Sequence, residues 1–273
     1  MRKNIHITML WILIPTATGC SVAVPYVPNR PPVPQITHEG EFNVSGGIHG
    51  PSATGFDGQI VYTPWNHYSL YSAIQFDRGL DFPYQGTGDT SQYTNRFFEI
   101  GAGYYDSIRW FHYEVYLLGG LGSGSDQIRN FRYYSDYSSS KAYTDTTSLR
   151  VVRIGIQQNL AYGSDPGWSA GIGLGLGYER LYNIRRLMTN YDLAQTPHSS
   201  DSVVSAVSAL ETSPQSALYA EPLLFCSLGA PLSFNGTELF MLKCYMELWW
   251  TYRTNSYSSF GSSNLSLSLA LDF

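Results

Sequence analysis

The hydrophobic positions of this chain fall on every second residue over long stretches. Leu265, Leu267, Leu269, Leu271 and Phe273 alternate with Ser266, Ser268, Ala270 and Asp272, and a period of two puts the two sets on opposite faces of a strand. Phe240, Leu242, Cys244, Met246, Leu248 and Trp250 alternate with Met241, Lys243, Tyr245, Glu247 and Trp249. Ile172, Leu174, Leu176 and Tyr178 alternate with Gly171, Gly173, Gly175, Gly177 and Glu179. Val152, Ile154, Ile156 and Leu160 oppose Arg153, Gly155, Gln157 and Asn159, and Phe111, Tyr113, Val115 and Leu117 oppose His112, Glu114 and Tyr116. More weakly, Ile60, Tyr62, Leu70, Ile74, Phe98 and Ile100 oppose Asn43, Gln59, Gln75 and Glu99. The pattern predicts ten strands, at about 42–49, 56–63, 68–77, 96–106, 110–122, 149–162, 168–182, 217–230, 239–250 and 263–273.

The connections alternate in length. Pro64 to His67, Ser107 to Arg109, Gly163 to Gly167 and Pro231 to Glu238 are short. The segments around 78–95, 123–148, 183–216 and 251–262 are long and polar, with only Gly50 to Gly55 short on that side. An even number of strands with short turns at one end and longer loops at the other is the pattern of a transmembrane barrel. Which face meets lipid follows from the polar set, which is rich in Gly, Ser, Gln and Tyr and poor in charge, unlike a solvated face. Trp65, Tyr68, Tyr104, Trp110, Phe111, Tyr162 and Trp168 cluster beside the short turns, as amphipathic rings do at headgroup level. The expectation is an all-β fold, an antiparallel up-and-down transmembrane β-barrel of about ten strands over 41–273, apolar outside and polar inside.

Composition sharpens this. Charged residues make up only 14% of the chain, against roughly 25% in soluble domains. The net charge of −5 gives no basis for binding nucleic acid. Arg2 and Lys3, the apolar run Ile5 to Ile14 and the small residues after it have the three parts of a signal peptide, over 1–19. Ala17-Thr18-Gly19-Cys20 resembles a bacterial lipobox, with Ala where the pattern usually has Leu, and the resemblance implies lipidation at Cys20. No Asp follows Cys20, so the expected anchor is the outer membrane. The prolines between Pro25 and Pro34 predict an extended tether over 20–40.

An alternating final strand ending in Phe273 resembles the assembly signal of bacterial outer-membrane barrels. Residues 41–273 resemble the small barrels of eight to ten strands, a group of structural barrels, adhesins, proteases and lipid A-modifying enzymes, by architecture and not by any family-specific motif. The resemblance implies outer-membrane lipid as surroundings, recognition by the barrel-assembly machinery through the last strand, and both termini on the periplasmic side.

Candidate chemistry is confined to the inward face. Glu99, Glu114, Glu179, Glu221, Glu247 and Asp272 share it with Arg153 and Lys243, and buried carboxylates need partners; the expectation is a lumen charge network. Of the histidines, His112 falls at the short-turn end and His198 in the longest loop near Asp192 and Asp201, neither within an enzyme motif. No metal-ligand spacing is present, and no cofactor is expected. The glycines at 171–177 sit inside a strand, where they leave room for neighbouring Tyr or Arg, rather than at a nucleotide-binding turn. Asn130 to Ser140 and Thr251 to Phe260 are dense in Tyr and Ser, a composition suited to binding loops. Val203, Val204, Val207 and Leu210 have helical spacing, predicting a short helix over 202–211. Cys226 and Cys244 lie at nearly equal distance from a hairpin centre near 235, predicting Cα atoms within about 7 Å. The expected role is structural or interactive, through the outer loops and an extracellular partner, without catalysis. The alternatives are a narrow pore, an outer-membrane enzyme and a soluble periplasmic ligand-binding barrel.

Overall fold

The structure, a computed structural model, describes residues 38–51, 55–81, 90–133, 140–163, 167–192, 203–212, 214–234, 237–254 and 262–273. The predicted signal peptide, Cys20, most of the predicted tether and His198 lie outside the described residues. The elements are β1 (Phe42–Pro51), β2 (Gly55–Trp65), β3 (Tyr68–Asp81), β4 (Thr90–Ile108), β5 (Phe111–Tyr133), β6 (Ser140–Gly163), β7 (Trp168–Asp192), β8 (Val203–Thr212), β9 (Gln215–Phe234), β10 (Thr237–Arg253) and β11 (Ser262–Asp272).

Every pairing is antiparallel. β1 to β7 pair in sequence order, β9 to β11 continue, and β11 returns to β1. β8 and β9 share one partner: β8 lies along Ile184 to Asp192 of β7, and β9 along Trp168 to Leu181. They are two segments of one stave, interrupted near Pro214, which has no N–H to give a ladder. Ten staves therefore close a barrel, which leaves no free edge over its spanning height.

The period-two pattern sets the facing. Leu265, Leu267 and Leu269 are exposed on the outer wall, whereas Ser266, Ser268 and Ala270 are buried in the lumen. The same split holds for Ile154 and Ile156 against Arg153 and Gln157, and for Ile172 and Leu174 against Ser169 and Glu179. An exterior lined with exposed Leu, Ile and Phe around the whole circumference is unstable in water and stable in lipid. Trp65, Tyr68, Tyr104, Trp110, Phe111, Tyr162 and Trp168 ring the short-turn end, all exposed. They touch in sequence there: Tyr68 with Tyr104 at 6.0 Å, and Phe111 with Tyr162 and Tyr162 with Trp168 at 5.1 and 6.1 Å.

Three expectations need correction. The polar segments 123–148 and 183–216 are largely strand, not loop: β5, β6 and β7 run for 23, 24 and 25 residues, about twice what a tilted strand needs to cross a bilayer. Their upper halves pair with one another and with β8 as a sheet continuing above the apolar belt. The predicted helix over 202–211 is strand β8, because pairing with β7 decides a segment whose apolar spacing suits either state. Finally, Cys244 pairs with Leu228 and Cys226 with Met246, so the cysteines are one diagonal apart, a spacing of about 7–8 Å, and both are free. A bulge between Glu238 and Phe240 contributes to the slip. The net offset is two residues, which preserves the facing of both strands.

Candidate functional site

The lumen holds the only dense polar chemistry among the described residues. Its lower half, near the short turns, is filled by Val61, Tyr71, Ala73, Tyr105, Tyr116 and Leu118. Glycines opposite make this possible: a Cβ at Gly103 would meet the Tyr116 ring at 2.5 Å. Around this plug, Lys243 Nζ pairs with Asp272 at 2.7 Å, and Asn43 donates to the same carboxylate. Gln157 donates to Asn159 at 2.9 Å, and Asn159 donates to Glu114 at 3.1 Å. His112 Nδ1 lies 2.9 Å from the Ser107 hydroxyl.

The upper half holds two charge clusters. In the first, Arg153 pairs with Glu221 and stacks 3.8 Å above the Tyr219 ring. Thr251 donates to the other Glu221 oxygen at 3.2 Å, and Arg253 pairs with Glu179 at 2.6 Å. Tyr219 reaches this position because Gly155 and Gly177 face it; a Cβ on Gly177 would stand 2.5 Å from its Cζ. In the second, His49 lies between two carboxylates, Nδ1 3.3 Å from Asp57 and Nε2 2.5 Å from Asp77. Gln75 and Asn95 donate to Asp77 at 2.6 and 2.8 Å, and Trp249 packs 6.1 Å from the imidazole. Beside them, Phe97, Leu149, Val151 and Leu181 form an apolar layer.

All eight residues expected in the lumen, Glu99, Glu114, Arg153, Glu179, Glu221, Lys243, Glu247 and Asp272, face it and are buried. Arg153 and Glu221 meet directly, Lys243 goes to Asp272, and Glu247 accepts from Ser266 at 3.3 Å. Arg253 was not expected there, because its segment reads as loop although β10 continues through it. The His49 cluster was also missed. Its signal is the parity that Asp57 and Asp77 share with Gln59 and Gln75, spread over three strands.

The arrangement suits packing better than catalysis. The His49 imidazole and both its carboxylate partners have no solvent-exposed side-chain surface. No group of three His, Cys, Asp or Glu side chains among the described residues could hold a metal ion. Trp249, Tyr116, Gln75, Thr63, Thr251 and Val151, drawn from five staves and several heights, are each fully buried. A water-filled channel beside them would leave them exposed. At these positions the lumen is packed.

No protein-family model matches the chain, and no curated protein matches it in sequence. Among solved structures, it is similar to the translocator domain of the autotransporter NalP from Neisseria meningitidis, with TM-score 0.42, 9% identity, and 85% of this chain and 86% of that one covered. The outer membrane protease OmpT from Escherichia coli gives TM-score 0.41 and 9% identity, covering 85% and 92%. A major outer membrane protein from Thermus thermophilus gives 0.38 and 14%, covering 85% and 99%. The wall, closed on itself and apolar over its spanning height, is that of a transmembrane barrel.

Proposed function

We propose that this chain is an outer-membrane β-barrel with a closed lumen, whose working surface is the long-loop end. The observation that carries this reading is the packed interior. Ten strands enclose little more than their own side chains, and here Tyr219, Tyr116, Trp249 and the ion pairs occupy that space. The sheet formed by the upper parts of β5, β6, β7 and β8 supports the second half. On β6 the apolar belt ends at Val152, and about a dozen residues continue beyond it, which lifts the wall roughly 30 Å above the membrane. A raised wall bordered by Tyr- and Ser-rich sequence suits contact with an extracellular partner better than passage of solutes.

In this reading both termini lie on the periplasmic side, Cys20 carries a lipid, and the last strand with Phe273 is the part that the assembly machinery recognises. In this reading the barrel is not an enzyme: Glu179, Glu221 and Asp272 are engaged in ion pairs inside the lumen, and His49 is sealed from any substrate.

Two measurements test the proposal. Folded protein in planar bilayers is expected to give no stepwise conductance, and regular conductance steps would refute the closed lumen. Membrane fractionation with mass spectrometry of the mature amino terminus is expected to find outer-membrane protein with an acylated Cys20. Recovery from buffer without detergent would refute the membrane assignment.

A further inference from the structure

The outer wall carries a one-sided row of arginines at the upper edge of the apolar belt. Arg78 on β3, Arg96 on β4, Arg150 on β6 and Arg180 on β7 are all exposed on the exterior face. The register aligns them. Arg96 and Arg150 are both partners of Ser123 on β5, from its two sides. Arg180 partners Val152, two residues below Arg150, and Arg78 partners Thr94, two residues above Arg96. Strands are about 4.8 Å apart, so Arg96 and Arg150 stand about 10 Å from each other across β5. Directly below each arginine on the same face is a lipid-facing residue: Phe76, Phe98, Val152 and Tyr178, all exposed.

The row therefore sits where hydrocarbon gives way to headgroups. Among the described residues, none of the four guanidinium groups has an acidic partner. Hydroxyls surround them: Thr94 and Ser125 bond each other at 2.8 Å on this face, and Tyr178 bonds Ser216 at 2.6 Å beside Arg180. Four arginines in a row with hydroxyls between them match phosphate groups, which guanidinium binds through paired N–H donors. The apolar wall beneath matches acyl chains. No such row faces out from the described parts of β1, β2, β9, β10 or β11.

We infer that this row, Arg78, Arg96, Arg150 and Arg180, is a binding site for a phosphorylated glycolipid of the outer leaflet, its phosphates on the arginines and its acyl chains on the wall below. The inference deepens the proposed function and rests on its placing the long-loop end outward. The site fixes a lipid to one side of the barrel, the side on which β5 to β8 rise above the membrane.

Purified barrel in mild detergent, titrated with bis-phosphorylated lipid A and followed by native mass spectrometry, tests it. The double variant R96Q/R150Q is expected to weaken binding about thirtyfold. Lipid A lacking both phosphates is expected to bind the parent protein at least as weakly as the variant binds lipid A, and phosphatidylglycerol is expected to bind more weakly than lipid A. Arg109→Gln, which alters an exposed arginine at the opposite rim, is expected to change nothing. Undiminished binding by R96Q/R150Q, indifference to the phosphates, or equal binding of phosphatidylglycerol would each overturn the site. Heat-modifiable migration of every variant verifies that the barrels compared are folded. The titration needs no cellular membrane, so a failure of the outer-membrane reading, seen in fractionation, stays separate from a failure of this one.

Discussion

Replacing Arg153 with Met tests whether the lumen is held by its charge pairs. Arg153 and Glu221 are 5% and 2% exposed, so neither charge is screened by solvent or salt. Met keeps most of the packing volume and removes the guanidinium. Glu221 is then left with the Thr251 hydroxyl at 3.2 Å as its remaining named partner. Breaking one side of a buried pair costs about 3–5 kcal/mol, since the surviving charge stays desolvated, and losing the stack on Tyr219 adds about 0.5–2 kcal/mol. The pair R153M/E221L removes both charges, and its cost should fall below that of R153M alone. Urea unfolding in phospholipid vesicles, followed by tryptophan fluorescence, measures this, and salt should not change the result. A single variant within about 1 kcal/mol of the parent, or a double variant costing the sum of the two singles, would show that the ion pair is incidental.

Other outcomes follow from the wall and the glycines. Leu267→Arg, which puts a charge on the lipid face, should cost roughly 2–4 kcal/mol, whereas Ser268→Ala, inward and next in sequence, should stay within about 0.5 kcal/mol by the same unfolding assay. Gly177→Ala drives a methyl into the Tyr219 ring and should cost about 1–3 kcal/mol, while Gly119→Ala, with nothing within 4 Å of the new Cβ, should be close to neutral. Mild oxidation should leave Cys226 and Cys244 unlinked in the parent, and Leu228→Cys should give a cross-link to Cys244 on non-reducing gels; the reverse would contradict the β9–β10 register.

Parity makes the barrel legible in the sequence. Where lipid faces one side of a strand, Leu, Ile and Val recur on every second residue, as from Val152 to Ile156 and from Leu265 to Leu271. Above the membrane that pressure ends, which is why Lys141 to Ser148 reads as loop although it pairs residue for residue with β5 and β7. β8 shows the same limit: Val203, Val204, Val207 and Leu210 fit a helix equally well, and only its distant partner resolves the choice. In the lumen, burial of Arg153 and the glutamates followed from parity, but their pairings depend on stagger between strands. Asp57 and Asp77 carried the inward parity all along; their meeting at His49 required the registers of β1, β2 and β3.

The seam between β1 and β11 has a kinetic consequence. Asn43 reaches Asp272 across 229 positions, and Phe42 and Phe273 exchange backbone hydrogen bonds of 3.2 and 3.0 Å. Every other join in the wall is between strands close in sequence, so the sheet can grow hairpin by hairpin. Ring closure happens once, between its two most distant members, against a chain entropy of about 5 kcal/mol. Until then both margins offer unpaired backbone to any other chain. The nearly finished sheet is therefore the species most exposed to mispairing, and a catalyst of insertion would act most effectively by holding those two margins together.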